Sequence, residues 1–354
     1  DGGLKHLTTT ALEDDKKLSA IEDAYARHAP HNEHSEEDIA IIRELFSRES
    51  LGFSYSKSNI IRGIVKTNRA LGMSLLMQVE GSQAHQHLHE LFLIAANDDL
   101  FPINSISEEF IDHLLSILGP IPTIEDHWVQ EFLAKVIKIY PRKVISLFTS
   151  RIEFAVKNED WQTRPVPHGP YRSSDFNLLS LQDGPQILDQ LLDWSLGFIN
   201  DYAFDYRFGE LVEALCHPFD ENITNALRKW VEQGEQDRLH VLKLAIREAQ
   251  NDFVFNQKEF VIWALGYAQS YGEDALKDLS STMYFIGISG MRSGVPGEPF
   301  QQDINLAKNS ERILSKLPRF HPSYKLYSAL FEHANAEIDR QKEEGRILDE
   351  EDEC

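Results

Sequence analysis

Histidine occurs in two short clusters, and it is the side chain most often used for proton transfer and metal binding near neutral pH. The clusters are His28, His31 and His34, spaced by three residues, and His85, His87 and His89, spaced by two. On a helix, His85 and His89 would share one face, as zinc-binding histidines do. However, Glu90 is not followed by the second histidine of an HExxH motif, no cysteine lies nearby, and Pro30 interrupts the first cluster. We therefore predict no metal site, and we interpret the clusters as an exposed turn and an exposed helix start.

The motifs of helical hydrolases are also incomplete. No His-Asp dipeptide is present, and the single arginine-to-histidine spacing that fits a HEPN-type RNase runs from Arg27 to His34 across Pro30. The Gly-x-Ser-x-Gly pattern of a nucleophile elbow is absent. We therefore predict no enzyme, no catalytic residue and no cofactor. A helical enzyme that uses a metal or a nucleotide is the first alternative.

The segment 287–297 is rich in glycine and follows an apolar helix. A phosphate-binding loop of the Walker type needs a preceding strand and a lysine that reaches the phosphates, and this segment has neither. We interpret it as a connector between helices. Arg292 within it is a candidate contact residue for a partner.

The segment 158–181 is the longest stretch without helical periodicity, and its prolines prevent a regular helix. Long loops in compact domains are commonly functional. Tryptophan, tyrosine and arginine are enriched at interface hot spots. The candidate partner-binding residues are therefore Trp161, Arg164, Tyr171 and Arg172. The alternative is a loop that folds back and buries Trp161 against its own helices.

An apolar stripe with helical spacing recurs from about residue 107 onwards, which predicts a series of helices. We expect these helices to position the candidate residues. One example is the set Val129, Phe132, Leu133, Val136, Ile137 and Tyr140. We find no alternating strand pattern, so we predict an all-α fold of stacked helical hairpins. Helices are predicted at about 11–29, from Ser35, and at 57–79, 84–97, 107–119, 127–140, 142–157, 206–217, 221–233, 237–250, 257–271, 273–287, 300–317 and 322–344.

Breaks between these helices suggest four regions. Pro141 and Pro218, which both lie between two predicted helices, are 77 residues apart, close to two repeats of about 40 residues. The predicted regions are an N-terminal helical region at 1–106, a repeat array at 107–290 with the inserted loop 158–181, C-terminal helices at 291–344 and an acidic tail at 345–354.

In helical rhythm and hairpin breaks, residues 107–290 resemble HEAT/armadillo-like α-solenoid proteins. The resemblance implies an array of degenerate repeats that recognises other macromolecules, most often proteins, and that is not catalytic. In prokaryotes, such arrays look like the sensor or adaptor regions attached to signalling or defence NTPases. The chain starts at Asp1, and we expect it to be a piece of a longer protein.

The composition of the chain limits the classes of partner that we expect it to bind. The formal net charge of −22 opposes binding to a phosphate backbone, so nucleic acid is an unfavoured partner, although a nucleic-acid-binding solenoid is the second alternative. No apolar run is long enough to span a bilayer, so we expect no membrane partner. The two cysteines, Cys216 and Cys354, lie far apart and form no disulfide framework, which favours a cytoplasmic location. The oligomeric state is left open.

Overall fold

The computed structural model describes residues 15–28, 34–47, 53–80, 87–167, 176–199, 201–234 and 236–352. Within these ranges the chain forms seventeen α-helices that pack against one another and contains no β-strand. The strand-like pairing there is an isolated bridge between Thr123 and Arg164. The predicted all-α class is confirmed. No helix in the described part of the chain combines the length and apolar character that crossing a membrane requires.

The chain divides into two compact units, with the boundary in the sequence between Phe176 and Asn177. The helices of the first unit are α1 (Asp15–His28), α2 (Glu36–Ser47), α3 (Tyr55–Thr67), α4 (Arg69–Leu76), α5 (Leu88–Ala95), α6 (Glu108–Leu118), α7 (His127–Val136) and α8 (Pro141–Lys157). Helix α3 contacts α1, α4 and α5, α5 contacts α7, and α8 contacts both α6 and α7.

Short polar side chains start several of these helices. The side chains of Ser54, Ser107 and Asp126 each accept a hydrogen bond from a backbone N–H in the first turn of the following helix. The segment 57–79, predicted as one helix, is two helices. Asn68 separates them, because its backbone ends α3 while its side chain accepts a hydrogen bond from the Leu71 N–H at 3.0 Å and so starts α4.

The helices of the second unit are α9 (Gly184–Ser195), α10 (Tyr202–Cys216), α11 (Glu221–Val231), α12 (Asp237–Ile246), α13 (Phe253–Asn256), α14 (Lys258–Gln269), α15 (Glu273–Ile288), α16 (Gln301–Leu314) and α17 (Pro322–Asp352). Two of them, α9 and the short α13, have no counterpart in the predicted set. The last helix, predicted to end near residue 344, continues to Asp352. Ion pairs such as Arg340–Glu344 and Arg346–Glu343 support its exposed face.

Contacts in the second unit run along two series of helices. One series connects α9, α11 and α14, the other connects α10, α12 and α15, and α17 contacts the last helix of each. Consecutive helices also pair across the series, as α11 does with α12 and α14 with α15. The helices α11, α12, α14 and α15 therefore each contact their hairpin partner along the chain and a helix of a neighbouring pair.

Candidate functional site

The predicted binding loop begins directly after α8, and its residues 158–167 are described. The Asp160 N–H donates to the Ala155 carbonyl oxygen at 2.9 Å, which holds the start of the loop against the last turn of α8. That turn also carries the exposed Phe154. Trp161 follows, with 60% of its surface exposed, so it is not the buried core residue of the alternative interpretation.

A buried arginine anchors the far side of this loop. Arg151 lies on α8 and is only 3% exposed. Its Nε donates to the Pro165 carbonyl oxygen at 2.9 Å, and its Nη2 donates to the Arg164 carbonyl oxygen at 3.1 Å. The remaining acceptors are carbonyl oxygens at the C-terminal end of α6 and just after it, at Leu118 (2.5 Å), Gly119 (3.1 Å), Ile121 (2.6 Å) and Pro122 (3.4 Å). One guanidinium therefore ties two distant loop segments together.

The buried position of Arg151 has an electrostatic consequence. Burial lowers the pKa of its guanidinium to about 10, because water no longer stabilises the charged form. This pKa still lies well above neutral pH, so the guanidinium stays charged and keeps all its donors. The carbonyl dipoles around it partly replace the lost water.

Four further contacts fix the loop conformation. Asp160 Oδ1 accepts from the backbone N–H groups of Gln162 (2.9 Å) and Thr163 (3.1 Å), which closes a tight turn around Trp161. Arg164 donates from its backbone N–H to the Pro122 carbonyl oxygen at 2.8 Å, and its Nη1 forms an ion pair with Glu125 Oε1 at 2.8 Å. Residues 165–167 then pass into the interior. The result is an exposed tryptophan on a loop that is held on both sides.

The other predicted site residues are Tyr171, Arg172 and Arg292. Tyr171 and Arg172 lie outside the described residues. Arg292 belongs to the second unit, where its Nε donates to Asp303 Oδ1 at 2.8 Å and its Nη1 to the Ile288 carbonyl oxygen at 3.2 Å. The carboxylate of Asp303 is almost completely buried.

This ion pair is part of a buried network. Asp303 Oδ2 accepts from Gln341 Nε2 at 2.8 Å, and Gln341 Oε1 accepts from the Phe300 N–H at 2.8 Å. Arg292 Nη2 also lies 3.4 Å from His333 Nε2. The glycine-rich segment is thus attached through Arg292 to helices α16 and α17. Arg292 has a structural role here that the sequence did not indicate.

The histidine clusters are only partly described, because His31 and His85 lie outside the described residues. His89 Nδ1 lies 3.0 Å from Asp126 Oδ2, and His87 Nδ1 lies 3.8 Å from Glu90 Oε2. Among the residues whose positions are described, no group of three histidine, cysteine or carboxylate side chains is arranged to hold a metal ion.

Sequence reasoning missed a groove in the second unit. It consists of two open cavities of about 510 Å³ and about 470 Å³, which lie between α12 and α15. Both cavities are lined by Lys243, Asp278 and Ser281, so they adjoin each other. Lys243 Nζ and Asp278 Oδ2 form an ion pair at 2.6 Å where the two cavities meet. The signal in the sequence was the pair of large apolar residues Phe285 and Ile286 on a predicted helix. In the structure, Ile286 is buried and Phe285 is exposed.

No family model, no curated protein and no solved structure matches the chain.

Proposed function

We propose that this chain is a non-catalytic recognition region that binds a partner protein through the surface around Trp161. The observation that carries the proposal is an exposed tryptophan on a loop that a buried arginine holds in place. Exposed large aromatic side chains are common anchors in protein interfaces. A loop ordered before binding loses less conformational entropy when the complex forms.

The composition of the surface supports the same function. Phe154 and Trp161 supply apolar area, and Arg164 with Glu125 supplies a charged rim at 46% and 23% side-chain exposure. An apolar centre with a polar rim is the usual organisation of a protein interface. We infer that Trp161 enters a pocket of the partner while the ion pair stays at the edge.

The helix contacts of the second unit support a finer fold assignment. We propose that its two series of helices form a HEAT-like α-solenoid, in which each hairpin contacts the next one. We further propose a cytoplasmic location, because the chain has only two cysteines and they lie far apart in sequence. A sensor or adaptor role within a larger signalling or defence protein is consistent with these properties.

The test is capture from native lysate followed by mass spectrometry, with Trp161→Ala compared with the parent chain. We expect the variant to lose at least about tenfold of the captured partner, as truncation of a hot-spot aromatic does. Its melting temperature should stay within about 2 °C, because an exposed side chain contributes little to stability.

Phe320→Ala is the matched control, because Phe320 is also an exposed aromatic residue and lies in the other unit. It should leave the capture unchanged. If Trp161→Ala lowers the melting temperature strongly while each folded molecule still captures the partner, the loop is structural and the proposal is wrong. Equal losses for both variants would also contradict it.

A further inference from the structure

The groove between α12 and α15 is a second surface, and it lies wholly within the second unit. Each cavity is lined by polar side chains and by almost completely buried apolar ones, Leu239 and Leu279 in one cavity and Leu244 and Ile286 in the other. Grooves between neighbouring helices are frequent binding sites. The question is which kind of ligand the groove fits.

The offset between the two cavities along the helices indicates how far apart the anchor side chains of a ligand would lie. The first cavity is lined by residues 274–281 of α15 and the second by residues 278–289 around its end, so their midpoints differ by about six residues. Residues 236–243 and 243–248 at α12 show the same offset. Six residues of helix span about 9 Å. On a bound helix, side chains at i and i+7 are about 10 Å apart on one face, a closer match than the roughly 6 Å of i and i+4.

The walls of the second cavity provide aromatic contacts. Phe285 on α15 is 65% exposed and borders the cavity on one side. Arg247 borders it too, with its guanidinium carbon 5.3 Å from the centre of the Tyr206 ring on α10. Arginine stacked on an aromatic face is partly held in position before any ligand arrives. An apolar side chain that entered this cavity would therefore contact Phe285 and an arginine that is already held in position.

The charge of the groove selects among helical ligands. Its lining includes the carboxylates Asp205, Asp237, Glu248, Asp274 and Asp278 against the cations Lys243, Arg247 and Lys277. Two of these cations already face carboxylates of the groove, Lys243 at 2.6 Å from Asp278 and Arg247 at 3.5 Å from Glu248. The lining is thus net acidic within a chain of charge −22. Electrostatic complementarity favours a basic ligand and disfavours an acidic one.

We propose that this groove binds a basic amphipathic helix of a partner protein, with apolar anchors at i and i+7 in the two cavities and lysine or arginine residues at its edges. The residues of this binding site belong to the second unit, whereas Trp161 belongs to the first. It goes beyond the proposed function, since it assigns a ligand class to a different unit of the chain.

The probe is a fluorescein-labelled helical peptide of eighteen alanine and lysine residues with leucines at i and i+7. We expect saturable binding by anisotropy with a Kd of about 100 µM or tighter, as for a small two-anchor ligand. A peptide with the leucines at i and i+5, which lie on different faces, should bind at least about tenfold more weakly. Replacing the lysines with glutamates should abolish binding. No binding of the first peptide up to about 1 mM would overturn the proposal.

Substitutions and crosslinks locate the peptide. Phe285→Ala should weaken binding about tenfold, whereas Phe320→Ala and Trp161→Ala should leave it unchanged. Photo-leucine at the two anchor positions should crosslink to α12 and α15, one anchor near Leu279 and the other near Phe285. Crosslinks outside α10, α12 and α15, or equal effects of Phe285→Ala and Phe320→Ala, would show only non-specific attraction to an acidic chain and end the proposal. Loss of partner capture in Trp161→Ala with peptide binding retained would separate the two surfaces.

Discussion

Arg151 shows how one side chain can organise a surface that it does not itself expose. Its neighbours are backbone carbonyl oxygens from the far side of the loop and from the segment at the end of α6. A lysine has the same charge but lacks the planar fork that reaches several acceptors at once. The exposed position of Trp161 therefore depends on a buried residue ten positions earlier in the chain.

We predict that Arg151→Met lowers the free energy of unfolding by about 3 kcal/mol, because several buried carbonyl oxygens lose their donor at the same time. Urea unfolding followed by circular dichroism measures this change. Arg346→Met is the matched control. Arg346 is an exposed arginine that pairs with Glu343 within α17, so its loss should cost no more than about 0.5 kcal/mol. Similar midpoints for the two variants would contradict the role given to Arg151.

We predict that Cys216 is chemically inert in the folded chain. Burial raises the pKa of its thiol to about 12, and Asp220 acts in the same direction. At pH 8 almost no thiolate is present, and the thiolate is the reactive form. In a Cys354→Ser background, a disulfide reagent should therefore react at least about a hundredfold more slowly with folded than with urea-unfolded protein. Equal rates would show that the thiol is accessible.

At the scale of elements, the glycine-rich segment after α15 is held by side chains of the helices that follow it. Gly290 and Gly297 have φ values of 99° and 87°, which non-glycine residues rarely adopt, so the backbone can turn there. Arg292 then reaches the buried carboxylate of Asp303 on α16. A segment that looks like a free connector in sequence is therefore attached to the helices by its arginine.

We predict that Asp303→Ala destabilises the chain by about 3 kcal/mol, because Arg292 and Gln341 both lose a buried partner. The same change should speed tryptic cleavage after Arg292 at least about tenfold, since the freed guanidinium can then enter the protease. Glu344→Ala, which removes an exposed partner of Arg340, is the control and should alter neither quantity appreciably. Unchanged cleavage after Arg292 would show that Asp303 does not restrain the segment.

At the scale of the whole molecule, the dominant property is the net charge of −22. A field of this sign repels polyanions and attracts basic ligands at a rate that falls with ionic strength. It therefore favours the basic helix proposed for the groove and disfavours nucleic acid for either surface.

We predict no binding to random-sequence duplex DNA at physiological salt with up to about 100 µM protein, because non-specific affinity depends on lysine and arginine neutralising phosphates. An electrophoretic mobility shift or anisotropy assay measures this. Lowering the salt should not create binding. Micromolar affinity that weakens linearly with the logarithm of the salt concentration would instead support the nucleic-acid-binding alternative.

Local patterns in the sequence were enough for the helical class and for many helix starts. The stripe at 129–140 is visible because a helix repeats every 3.6 residues, and Ser107 and Asp126 act as caps through contacts two or three residues away. The split at Asn68 was missed, because a residue that ends one helix and starts the next leaves the apolar periodicity almost intact.

For the candidate site too, local sequence patterns indicated some features, and tertiary structure decided the others. Proline content and aromatic residues indicated the loop at 158–181, and Trp161 is exposed there. The support from Arg151, the pairing of Arg292 with Asp303 and the groove between α12 and α15 were decided only by tertiary structure. The atoms involved come from segments that are 11 to 35 residues apart in sequence. Periodicity records which face of a helix is buried, but it carries no information about which distant backbone or helix meets that face.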